Sequence, residues 1–214
     1  MYIPKKYLEE DWEFQEKIIK EYPLATVITT GPEGIQANHI PFFLHIDEST
    51  GKKYLHAHAA KKNPQIPALT EGKEVLIIFK STDSYIAPEY YPGKQIDHKR
   101  VPTWDFAAVH IYGKSKIIDD AQWVRKQLDN FTHQNEKSRE NPWKVSDAPE
   151  KYVTLLQKAI CGVEIEIERI ECKYKFEQKE IKQDIDGVTE GLAKDGIHEM
   201  SKLVKDTNAR WDKK

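Results

Sequence analysis

The segment Tyr54-Leu55-His56-Ala57-His58-Ala59-Ala60-Lys61-Lys62-Asn63-Pro64-Gln65 alternates as a strand does and then runs into a helix start that carries two lysines. A phosphate suits such a place, because free backbone N–H groups at a helix N-terminus and nearby ammonium groups supply donors and positive charge together. Taken alone, Lys61-Lys62 reads as two surface lysines. Asn38 and His39 interrupt the apolar run Ile35–Phe42. If buried they need hydrogen-bond partners, either from the core or from a ligand. His56 and His58 share a strand face, and two imidazoles at that spacing could contribute to a metal site; the spacing offers no third ligand, so no metal is expected. In Val101-Pro102-Thr103-Trp104-Asp105-Phe106 the rings can lie against a planar ligand or pack in the core. Asp105, His110 and Tyr112 stand near this motif and could serve in acid–base work, although a structural role accounts for each.

The elements that position these residues are mostly strands. An amphipathic helix over 5–22 ends at Pro23, a strand over 24–30 meets a hairpin turn at Gly31-Pro32-Glu33-Gly34, and residues 35–45 return as one strand. Residues 54–59 form the next strand and 61–69 a short helix. Val75–Phe79 reads as a buried strand and Ser84–Ala87 as another short one, followed by a loop over 88–102. Trp104–Ile118 is a core strand with a bend expected at Gly113. Asp119 or Asp120 caps a helix that ends near Asn141-Pro142, and a short helix covers 149–158. The sharp alternation of Val163, Ile165 and Ile167 with Glu164, Glu166 and Glu168 predicts a closing strand over 161–176, wet on one face. The charged stretch beyond Gln178 can hold one or two weak helices between 192 and 211. The fold class is therefore mainly β: a barrel of six or seven antiparallel strands with peripheral helices, over residues 1–178, with a charged helical tail over 179–214.

Composition narrows the partners. The 33 Lys and Arg against 35 Asp and Glu give a formal charge of −2, so no global positive field draws a phosphate polymer. Cys161 and Cys172, eleven residues apart on one strand, read as free thiols in a reducing cytosol. No apolar run approaches membrane-spanning length, so a soluble, cytoplasmic protein with no membrane partner is expected.

Together these segments resemble the PaiB-type family of FMN-binding negative transcriptional regulators. The resemblance rests on Met1-Tyr2-Ile3-Pro4, Ala37-Asn38-His39-Ile40-Pro41, His58-Ala59 with Asn63-Pro64-Gln65, and above all Val101 to His110. Arg139-Glu140-Asn141-Pro142 and Ile170 to Gln178 extend it through nearly the whole chain, with a departure at Phe176-Glu177-Gln178-Lys179. The family is similar in fold to the pyridoxamine phosphate oxidase split barrels, which implies a homodimer with FMN across its interface. Carried over by motif, Asn38, His39, His58, Lys61, Lys62 and Asn63 become candidates for the phosphate and ribityl side, and Thr103 and Trp104 for the far wall.

That resemblance implies a negative regulator. With this charge and no helix-turn-helix pattern, action through flavin or a protein partner is expected ahead of direct DNA contact. Two alternatives stay open: an FMN-dependent oxidoreductase acting on a small molecule, and a haem-binding version of the same barrel.

Overall fold

The computed structural model describes residues 1–70, 72–178 and 180–211. Seven strands, β1 (Leu24–Gly31), β2 (Gly34–Pro41), β3 (Phe43–Ile46), β4 (Lys53–Ala60), β5 (Glu74–Ile86), β6 (Thr103–Ile118) and β7 (Ile160–Lys175), lie in the order β2-β1-β5-β6-β7-β4-β3. The helices are α1 (Trp12–Glu21), α2 (Ile66–Thr70), α3 (Lys94–Asp97), α4 (Ala121–Glu136), α5 (Glu150–Gln157), α6 (Lys182–Lys194) and α7 (His198–Trp211). The chain divides into two compact units, one of residues 19–79 and 110–170, the other of 1–18, 80–109 and 171–214.

The first unit contains β1 to β4 and parts of β5, β6 and β7. The single strand expected over 35–45 is two strands, broken at Phe42. Pro41 has no N–H for a ladder, and the Phe42 N–H turns away to donate to Pro23 O at 2.9 Å. The break has a large consequence. β2 pairs with β1 (Thr26↔His39, Val27↔Asn38) while β3 pairs with β4 (Phe43↔His56), at opposite ends of the strand order. One residue spans less than about 8 Å between the Cα atoms on either side of it, so the two edges of the sheet must lie side by side. The sheet therefore curls round a core that contains Val27, Phe42, Leu55, Ile77, Phe79, Ile111 and Ile165, all fully buried. Phe42 and Phe79 meet edge to face, with centroids 6.2 Å apart.

Gly113 does not bend β6. Burial alternates straight through it, and a Cβ there would stand 2.0 Å from the Glu166 carbonyl oxygen, so the glycine serves close strand approach. Asp120 caps α4 as expected, accepting from Trp123 N–H at 2.7 Å, but the helix ends at Glu136. The helix expected over 61–69 is shorter, with 61–65 forming the turn before α2.

The strand at 75–79 and the one at 84–87 prove to be one strand, β5, whose residues 80–86 belong to the second unit. Its buried face changes phase between Ser81 and Ser84, which is why the sequence reads as interrupted. Ser81 Oγ accepts the Ala107 N–H at 2.8 Å. Residues 94–97, expected as loop, form the single turn α3, closed by His98 at φ 55. The helix expected from residue 5 begins at Trp12, after a short turn at Lys5–Tyr7. Helices α6 and α7 bury Val188, Leu192, Met200 and Val204 completely, which gives this charged stretch its apolar contacts.

Candidate functional site

The turn that follows β4 is built from its own backbone. Asn63 N–H donates to Ala60 O at 2.9 Å, Asn63 Oδ1 accepts from Gln65 N–H at 2.9 Å, and Ile66 N–H closes back on Asn63 O at 3.0 Å. Pro64 tolerates this because its missing N–H falls between the two donors. The turn is then pinned to the β1–β2 hairpin by Gln65, which sequence reasoning did not single out for this role. Gln65 is buried, and its Nε2 donates to Val27 O and Thr29 Oγ1, each at 3.1 Å. Only its place in Asn-Pro-Gln hinted at this.

Lys61 and Lys62 are exposed on this turn. Lys61 Nζ reaches Asp119 Oδ1 at 2.6 Å, and its backbone N–H donates to Ala159 O. Lys61 also borders an open cavity of about 650 Å³ between α4 and α5. His58, half-buried on β4 opposite Gly162, has Nδ1 2.9 Å from Gln127 Oε1 on α4, which fixes the ring's orientation. Asn38 is half-buried on β2 and accepts the His39 N–H at 3.0 Å, while the His39 side chain is exposed. The first unit thus supplies the turn bearing Lys61, Lys62 and Asn63 together with the hairpin bearing Asn38 and His39, joined through Gln65.

His56 takes a different part. Its ring stacks on His45 with centroids 4.8 Å apart and lies 5.0 Å from Trp123. Nε2 is 3.0 Å from Glu164 Oε2 without the alignment of a hydrogen bond. Burial first, then His45 and Lys126, push this imidazole down to about 4, so it is neutral at pH 7 and the contact with Glu164 is not an ion pair. Among the described residues no group of three or more His, Cys, Asp or Glu is placed to hold a metal ion.

Thr103 and Trp104 belong to the other unit. Thr103 Oγ1 accepts from Lys175 Nζ at 2.7 Å, and Trp104, 54% exposed, has Tyr85 edge-on at 6.2 Å. Beside them is a cluster that the sequence motif touched only through Asp105. This residue is fully buried and accepts from Lys175 Nζ at 3.2 Å, and burial first, then the Glu177 charge, push its carboxyl well above the ordinary range. Its partners lie some seventy positions away in sequence, so no local spacing announces them.

Comparison with known proteins places this geometry. Residues 1–169 match the family model described as "Putative FMN-binding domain". A protein of Emericella nidulans with no characterised activity is 34% identical, with 100% of both chains covered. A Bacillus subtilis protein named protease synthase and sporulation protein PAI 2 is 30% identical, covering 96% of this chain and 97% of its own. Among solved structures, the FAD and haem binding protein from Mycobacterium smegmatis superposes with TM-score 0.60 at 17% identity, over 84% of this chain and 79% of its own. The flavocytochrome Anf3 from Azotobacter vinelandii does so with TM-score 0.58 at 16% identity, over 86% and 78%. At such identities the two structures speak for the split-barrel fold.

Proposed function

The chain belongs to this FMN-binding-domain family of PaiB-like proteins, and on that premise we propose that it binds FMN by its phosphate at the turn after β4 and works as a homodimeric negative regulator. The observation that carries the flavin reading is the family match over residues 1–169, which spans every candidate contact. The donor set fits. A flavin phosphate needs cations and N–H donors, and the turn offers the Lys61 and Lys62 ammonium groups with the Asn63 side-chain Nδ2, while Asn38, His39 and His58 add groups that can meet ribityl hydroxyls. Thr103 and Trp104 are proposed for the ring wall. Bound flavin would supply reversible electron transfer, and the protein would supply position and polarity.

The name of the Bacillus subtilis relative supports a regulatory role. The formal charge of −2 favours action through flavin state or a protein partner over direct grip on DNA. A second reading, flavin-dependent reduction of a small molecule, draws on the likeness to a flavocytochrome, and bleaching of bound flavin by NADH would separate it from binding alone.

The phosphate assignment is tested by K61A/K62A. Losing two charge-assisted contacts should weaken FMN by roughly tenfold or more and leave riboflavin, which has no phosphate, nearly unchanged. Equal weakening of both ligands would remove the lysines from the site. Light scattering should give twice the mass of one chain; a monomer would overturn the homodimer.

A further inference from the structure

A second cavity of the first unit, of about 280 Å³, lies between α4 and the strands β3, β4 and β7. Strand pairing builds one wall. His45 stands opposite Tyr54, His56 stands opposite Glu164, and Tyr54 and His56 are two residues apart on β4, so all four share a face. Helical spacing builds the other wall, where Trp123, Lys126, Gln127 and Asn130 fall at i, i+3, i+4 and i+7 on α4.

Polar groups on both walls lack partners. The Glu164 side chain is 24% exposed, and among the described residues its carboxylate meets only the His56 imidazole, which is neutral at pH 7 and out of hydrogen-bond alignment. Asp47, at the rim, is taken up by Ser49, whose N–H and hydroxyl donate to it at 2.8 and 2.6 Å. Glu164 is therefore the carboxylate left for a cation. On the helix wall the exposed Lys126 makes no ion pair among the described residues, with Glu164 or with any other carboxylate. Gln127 is 2% exposed; its Oε1 lies 2.9 Å from His58 Nδ1, and its Nε2 has no acceptor. Solvent can satisfy Lys126, but a buried amide donor without an acceptor is costly to keep.

We propose that this cavity binds a free α-amino acid, whose ammonium pairs with Glu164 and whose carboxylate meets Lys126 and the Gln127 amide. A purely anionic ligand would face Glu164 and a purely cationic one Lys126, so a zwitterion is the class that both walls accept. At about 30 Å³ per water the space equals roughly nine waters, which suits a molecule of about that many heavy atoms. Rings line both walls. His45 and His56 stack with centroids 4.8 Å apart, Trp123 lies 5.0 Å from His56, and Tyr54 lies 6.3 Å from His45. Their faces can receive the ammonium or an apolar side chain.

Isothermal titration of the full chain without flavin, with each of the twenty standard L-amino acids, tests this. The outcome does not depend on the flavin reading, because neither wall belongs to the turn after β4. At least one amino acid should saturate at one per chain. Its N-acetyl derivative, which lacks the ammonium, and its amide, which lacks the carboxylate, should each bind roughly tenfold more weakly or worse. E164Q, which keeps the shape of the side chain, and K126M, at an exposed position that leaves the fold intact, should each weaken the same amino acid by roughly tenfold. Saturation by none of the twenty would overturn the proposal. So would a derivative that binds as tightly as its parent, or an affinity unchanged in either variant.

Discussion

Replacing Asp105 by Asn should stabilise the protein at alkaline pH, although it removes one partner of a buried ion pair. The folded chain holds Asp105 at about 8 against an ordinary value of 3.8. Because the folded value is the higher one, its contribution to stability is fully present below the unfolded value, fades as pH rises, and is gone once pH passes the folded value. At about 1.4 kcal/mol per pH unit, keeping this proton costs the native state roughly 4 kcal/mol by pH 7 relative to acid. Relaxation around the site lowers that figure, so about 2–4 kcal/mol is expected. The amide introduced by D105N would still accept from Lys175, with no proton to retain. Urea unfolding of the wild type and D105N at pH 5, 7 and 8.5 is the assay. The variant's advantage should grow with pH and level off above 8. A variant less stable than the wild type at pH 8.5, or a difference that does not change from pH 5 to 8.5, would refute the reasoning.

Other outcomes follow from single contacts. His56 is buried neutral and depressed from 6.5 to about 4, so the stability it contributes is present above 6.5 and lost as pH falls through 4; H56F should flatten the acid limb of a urea-midpoint profile by up to roughly 3 kcal/mol. G113A must push back the Glu166 carbonyl, 2.0 Å from the new Cβ, and should cost about 2 kcal/mol or more in the same assay. D184A strips the partner from Arg100 and from the Gly93 N–H and should cost roughly 3 kcal/mol, with D184N losing less.

The sequence made the barrel legible where periodicity is local. The Val163–Glu168 alternation marks β7, Asp120 marks the start of α4, and the Gly31–Gly34 turn marks the β1–β2 hairpin. It hid what depends on tertiary placement. The break at Phe42 is signalled only by Pro41, yet it sends the chain from one edge of the sheet to the other. The polar residues 80–83 separate two strands in the sequence reading, whereas Ser81 takes up an Ala107 N–H within a continuous strand. Of the candidate ligand residues, Lys61, Lys62 and Asn63 fall on one turn as their adjacency requires. What pins that turn, Gln65, and what surrounds Asp105, Lys175 and Glu177, come from contacts across long stretches of chain that no spacing rule records.

The central claim is that the turn after β4 grips a flavin mononucleotide. Titrating FMN into the flavin-free protein, followed by quenching of flavin fluorescence, tests it most directly. The account predicts saturation at one FMN per chain, with riboflavin bound more weakly by roughly tenfold or more. Absence of saturation with FMN, or riboflavin bound as tightly as FMN, would contradict it.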